Sequence, residues 1–158
     1  MSPTPHDWSL LHQLLQRDTT TSEQLHNLLL EERKALESRD YATFATLVTP
    51  KTQLVKQLEQ NLTVRRQHLR QMGLNTDLDA LQAARTSAPA VATCWESAAA
   101  LWENCQNASQ VNDQICQRTR LVVERTLDVL RGEHSQGATY NASGAAERSG
   151  SGRTISSA

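Results

Sequence analysis

Few residues in this chain have the types and spacing that covalent chemistry needs. Glu23-Gln24-Leu25-His26 matches the Glu-x-x-His element that places two metal ligands on one helical turn. Di-iron bundles of that kind use two such motifs plus two more inward-facing glutamates, and only one copy is present. The pair reads as a solvated face beside an apolar stripe. His68, with Arg65, Arg66 and Arg70 close by, resembles the exposed phosphoacceptor of a helical phosphotransfer bundle. Those arginines are equally expected near a helix C-terminus, where positive charge opposes the helix dipole, so phosphotransfer is set aside. No Gly-rich phosphate loop, serine nucleophile elbow, Cys-x-x-Cys pair or local Cys-His pair occurs. The chain is expected to be no enzyme and to need no cofactor or metal.

The cysteines point the same way. Cys94, Cys105 and Cys116 recur at a spacing that turns a helix through about 1100°, nearly whole turns, while separating neighbours by about 16 Å along the axis. On one continuous helix they share a face and cannot touch, because a disulfide needs Cα atoms within about 7 Å. They are expected to be small buried seam residues.

The element that must position them is the stretch 88–131, which reads as one long helix stopped by Gly132. Val91, Cys94, Ala98, Leu101, Cys105, Ala108, Asn112, Ile115, Thr119, Val122, Thr126 and Val129 follow one another in alternating steps of three and four. That is the rhythm of a helix packed lengthwise on others. Its upstream seam is built of small residues flanked by Trp95 and Trp102, which are assigned to the core. Asn112 interrupts the seam, either fixing register through a hydrogen-bonding partner or lying at the edge in contact with water.

Two further helices must cover this rod. Thr4, Pro5 and Asp7 form a helix start with a capping residue, a proline at the first position and a carboxylate three residues after the cap. Trp8, Leu11, Leu15, Leu25, Leu29 and Leu36 then carry a stripe to about Glu37. The run Thr19-Thr20-Thr21 is its weak point, and the helix is expected to be continuous or slightly bent there. After Ser38-Arg39, Asp40 caps a second helix carrying Phe44, Leu47, Lys51, Leu54, Leu58, Leu62, Leu69 and Met72, with Gly73 as its stop. So short a link makes the pair an antiparallel hairpin. Pro50 either bends this helix or, capped by Thr49, starts a fresh one. Thr76 and Asp79 mark a short connector helix at 77–85, and Ser87 is the expected cap of the long helix.

Composition bounds the rest. With 158 residues, 38% of them hydrophobic and 4% aromatic, the chain fits one modest bundle with a leucine, valine and alanine core. A formal charge of -1 offers no electrostatic footprint for nucleic acid or an anionic membrane, and no apolar run reaches the length of a membrane span. A cytoplasmic location is expected. The reading is therefore all-α: an antiparallel bundle of three long helices with a short connector helix over residues 1–132, followed by a disordered tail, residues 133–158, rich in Ser, Gly and Ala.

The third helix is longer than the first two, so its C-terminal end is expected to overhang. That end carries Leu121, Val122, Val123, Leu127, Val129 and Leu130, an apolar band wider than one seam requires. A band of that kind marks a helix-against-helix partner site. Self-association through the same surface, as in a coiled-coil adaptor, is the competing reading.

Taken together, three pieces resemble the FlgN family of flagellar export chaperones. They are the hairpin from Leu28-Leu29-Leu30-Glu31-Glu32 through Asp40, Phe44, Leu47 and Lys51 to Leu69-Arg70-Gln71-Met72-Gly73; the helix from Leu101-Trp102 through Asn112 to Val129-Leu130-Arg131-Gly132; and the tail piece Thr139-Tyr140-Asn141-Ala142-Ser143-Gly144. The resemblance implies a cytosolic type III export chaperone that binds the hook-filament junction proteins FlgK and FlgL. It puts client binding on Asn112, Ile115, Val122, Val123, Leu127 and Leu130, and docking on the export gate protein FlhA at Tyr140. Two features depart from the family pattern. Ile115 stands where the family often repeats asparagine, and Asn141-Ala142 follows the tyrosine where glycine and a charged or proline residue are common.

Overall fold

The computed structural model describes residues 3–131, and all regular structure among them is helical. The elements are α1 (Pro5–Glu37), α2 (Tyr41–Gln71), α3 (Asp77–Ser87) and α4 (Pro89–Leu130). The expected three long helices and one connector helix are therefore present. The expected tail, residues 133–158, lies outside the described residues. The chain divides into two units, residues 1–117 and residues 118–158, with α4 running through the division.

Helix α1 begins with the capping box read from the sequence. The Thr4 hydroxyl oxygen accepts from the Asp7 amide at 3.3 Å, and the Asp7 carboxylate accepts from the Thr4 amide at 2.8 Å and the Thr4 hydroxyl at 2.7 Å. These bonds from Thr4 hold the Asp7 carboxyl below its ordinary range. The threonine run does not break the helix. Thr19, Thr20 and Thr21 each turn a hydroxyl back onto the carbonyl four residues earlier, at 2.9, 3.1 and 3.0 Å, and the helix continues through them.

The link to α2 turns at Arg39, whose φ of 57° lies in the left-handed region. The Asp40 amide donates to the Ala35 carbonyl at 2.8 Å and the Arg39 amide to the Leu36 carbonyl at 3.2 Å, which satisfies the last carbonyls of α1. The Asp40 carboxylate then caps α2 by accepting from the Thr43 amide at 3.0 Å. Pro50 lies inside an uninterrupted α2. Of the two expected roles for Pro50, the fresh helix start is not realised. At the other end Gly73, with φ 76°, repeats the left-handed turn, and Leu74 donates to the Leu69 carbonyl at 2.9 Å.

Helix polarity follows from the cross-helix bonds within residues 1–117. Descending α1 through Glu32, Asp18 and Asp7, the α2 partners rise through Lys51, Arg65 and His68, so these helices run in opposite directions. Ser22 meets Cys105 and Leu29 meets Asn112, a constant offset that makes α4 parallel to α1. One apolar cluster joins Trp8, Leu11 and Leu15 to Leu69, Met72, Ala80, Ala84, Val91, Ala92 and Trp95. A second joins Leu25, Leu29, Leu58, Cys105 and Ala108. Each leucine fully buried in these clusters contributes about 1.5 to 3 kcal/mol.

Two expectations are corrected. Ser87 is the last residue of α3 and not the cap of α4; the first bonds of α4 run to the Ala88 carbonyl, because Pro89 follows immediately and α3 continues to the break it imposes. The expected seam of α4 is buried or half-buried at each of its positions from Val91 to Thr119 and exposed from Val122 on; beside it Ala92 and Trp95 are also buried, in the cluster that includes Ala80 and Ala84 of α3. Trp102, expected in the core, lies outside it at 43% exposure, although Trp95 is buried.

Gly73→Ala should cost about 1 kcal/mol in chemical denaturation, because the left-handed backbone alone is penalised. Nothing lies within 4 Å of the added methyl, so a much larger loss would mean that a contact and not the φ angle decides this position.

Candidate functional site

Two regions carry the residues singled out by the sequence, one in each unit. In residues 1–117 the centre is Glu32, a carboxylate only 3% exposed on the apolar face of α1. Its Oε1 accepts from Lys51 Nζ of α2 at 2.5 Å and its Oε2 accepts from Asn112 Nδ2 of α4 at 2.9 Å. The Asn112 amide nitrogen also donates to the Leu29 carbonyl at 2.8 Å. Its oxygen accepts from Arg33 Nε at 3.2 Å, and Arg33 Nη2 reaches the Ala108 carbonyl at 3.3 Å. One charged group thus ties three helices together, with every polar atom of the Asn112 side chain engaged.

A second buried pair lies further along the same hairpin. The Asp18 carboxylate of α1 accepts from the Arg65 guanidinium of α2, which also lies 5.7 Å from the centre of the Trp95 ring. Burial lowers the proton affinity of Arg65, opposed by the Asp77 carboxylate. His68 is buried and its Nε2 lies 2.8 Å from the Asp7 carbonyl oxygen, which can only accept. The ring nitrogen is therefore a donor spent inside the fold, which removes the exposed phosphoacceptor that the sequence suggested.

The cysteines are free among the described residues, and burial raises all three thiols above their ordinary value. Cys105 is fully in the core, where its thiol donates to the Ser22 carbonyl at 3.3 Å; Cys94 and Cys116 are half-buried. Glu23 is exposed and His26 half-buried, and no group of three metal-ligating side chains occurs among the described residues.

In the second unit, the end of α4 presents Leu121, Val122, Val123, Leu127, Val129 and Leu130 to solvent, from 41% exposed at Leu127 to 77% at Leu130. Of the client-binding residues implied by the resemblance, Val122, Val123, Leu127 and Leu130 share this surface. Ile115 is half-buried, and Asn112 is 2% exposed and turned into the first unit. Tyr140 lies outside the described residues.

Sequence reasoning missed the parts played by Glu32 and Arg33. A signal existed: Glu32 and Lys51 are charged residues on otherwise apolar stripes, and a charge on such a stripe must find a partner. Glu32→Ala should lower stability by about 3 kcal/mol, since it leaves the Lys51 ammonium without its carboxylate and takes one of two acceptors from the Asn112 amide nitrogen. Glu32→Gln, which keeps an acceptor and loses the charge, should cost about 1.5 kcal/mol. Equal stability of Glu32→Ala and wild type in urea unfolding would refute this account of the network.

The family model described as FlgN protein matches residues 9–148, a span that includes Glu32, Lys51, Asn112, the exposed band of α4 and Tyr140. No curated protein and no solved structure matches the chain. With nearly the whole sequence, from the first turns of α1 to beyond Tyr140, under one family pattern, the chain belongs to the FlgN family.

Proposed function

We propose that this chain is a cytoplasmic flagellar export chaperone that holds the terminal segments of the hook-filament junction proteins FlgK and FlgL on the last turns of α4 and presents them to the export gate protein FlhA. Membership of the FlgN family supports a flagellar chaperone role and no enzymatic one. The observation that carries the reading is the uncovered band at Val122, Val123, Leu127 and Leu130. A solvated apolar helix face of this kind gains free energy only when another apolar face covers it. No helix among the described residues is long and apolar enough to cross a membrane.

The mechanism needs no bond-making. The client segment lays its own apolar side chains on the band, about 1.5 to 3 kcal/mol following from each Val or Leu fully buried. Its aggregation-prone surface is thereby kept out of water until export. Asn112 acts by fixing α4 within the first unit. Tyr140 serves the export gate and not the client.

Titration calorimetry of the chain with the C-terminal segments of FlgK and FlgL tests the reading, with one-to-one binding and a negative heat-capacity change expected. Leu127→Asp should weaken that binding by about 2 kcal/mol while leaving helix content unchanged, because the side chain is exposed in the free protein. Unchanged affinity would move the client site elsewhere. Tyr140→Ala should leave client affinity intact and reduce capture of the loaded complex by FlhA; loss of both together would contradict the division of roles.

A further inference from the structure

Helix α3 is built unlike the other three. It spans 11 residues, a length at which a helix alone in water is marginal. Its buried residues are two alanines, Ala80 and Ala84, both 0% exposed, whereas Leu78 is 64% exposed and Leu81 and Ala83 are half-buried. The Arg85–Glu96 pair that ties it to α4 joins two side chains more than half exposed, where an ion pair adds little.

The surface that α3 meets is of the opposite kind. Ala80 and Ala84 share a cluster with Trp8, Leu11 and Leu15 of α1, Leu69 of α2, and Val91, Ala92 and Trp95 of α4. Ala92 marks the wall on α4 that faces α3: it lies about 140° around that helix from Cys105, the residue that meets Ser22 of α1, yet it is buried. Large apolar groups from three helices are thus closed off by a fourth whose buried side chains are two methyl groups. The ends of α3 suit a hinge. Ala88 alone joins it to α4, with φ -150° and ψ 69°, outside the helical range. Residues 72–76 join it to α2 through the left-handed turn at Gly73.

We infer that α3 is a lid: it lifts as a unit while α1, α2 and α4 remain together, and so uncovers a concealed apolar surface formed by Trp8, Leu11, Leu69, Ala92 and Trp95. Lifting α3 undoes one small interface and releases the conformational entropy of its 11 residues, while the contacts among the other helices persist. Such an opening lies below complete unfolding in free energy. The surface it uncovers shares no residue with the exposed band of α4, and the inference does not depend on the client reading.

Two measurements on the full chain test it. In native-state hydrogen exchange, the amides of α3 from Ala80 to Ser87 should exchange roughly a hundredfold faster than those of Leu25 to Leu29, with a weaker dependence on urea. Gln82→Gly, at an exposed position, should speed all of the α3 amides about threefold through lost helix propensity and leave α1 unchanged. The second measurement reads the wall. In Ala92→Cys, alkylation by iodoacetamide is followed by mass spectrometry and scaled to the same thiol in urea. Position 92 should react about tenfold faster than the buried Cys105. Adding Gln82→Gly should raise the rate at position 92 about threefold and leave Cys105 alone. Exchange in α3 as slow as in α1 overturns the lid, because α3 then opens only with the rest of the fold. Fast exchange with position 92 alkylated no faster than Cys105 also overturns it, since α3 would then fray in place without uncovering the wall.

Discussion

Burying the Glu32 carboxylate among leucines would cost several kcal/mol if the group stood alone, and the arrangement of α1, α2 and α4 answers that cost. Lys51 supplies the countercharge, Asn112 the second donor, and Arg33 completes the amide of Asn112. A purely apolar interface between these helices would tolerate slippage by a turn. The polar one accepts a single register, because any shift strands a charge. The small side chains of Cys105 and Ala108, two turns and one turn upstream of Asn112, leave room for α1 at the same contact.

This gives Asn112 a different standing from the other residues that the FlgN resemblance brings forward. Ile115, Val122, Val123, Leu127 and Leu130 keep apolar surface available to differing degrees, whereas the polar atoms of Asn112 are all engaged internally. A family motif in a helical chaperone can therefore combine residues that hold the scaffold with residues free to meet a partner. Type and spacing alone do not separate them, since both groups fall on the same three-four rhythm.

Local signals were read well from the sequence. The Thr4 box, the Asp40 cap, the Gly73 stop and the Thr76 start all depend on residues within four positions of one another, and each forms as its chemistry requires. What escaped depends on distance along the chain. Nothing near Glu32 announces Asn112, and nothing near Trp102 reveals that α3 covers Trp95 and not its neighbour two turns on. The face of a long helix is set by whichever element lies opposite, and that element changes along α4. The apolar band at the end of α4 was legible because its width exceeds what a single neighbour can cover, but what covers it is not encoded in the band alone.

The constant offset between α1 and α4 also has a consequence for the order in which the fold assembles. Helices α1 and α2 meet through a three-residue link, so their pairing requires closure of only a short loop. Docking α4 joins Leu29 to Asn112 and Ser22 to Cys105, each 83 positions apart, and must offset the closure entropy of about half the chain. The hairpin therefore closes over a short loop and α4 docks over a long one. Undocking by the same route would free α4 as a unit while leaving the hairpin intact, a sub-global opening that lies below complete unfolding in free energy.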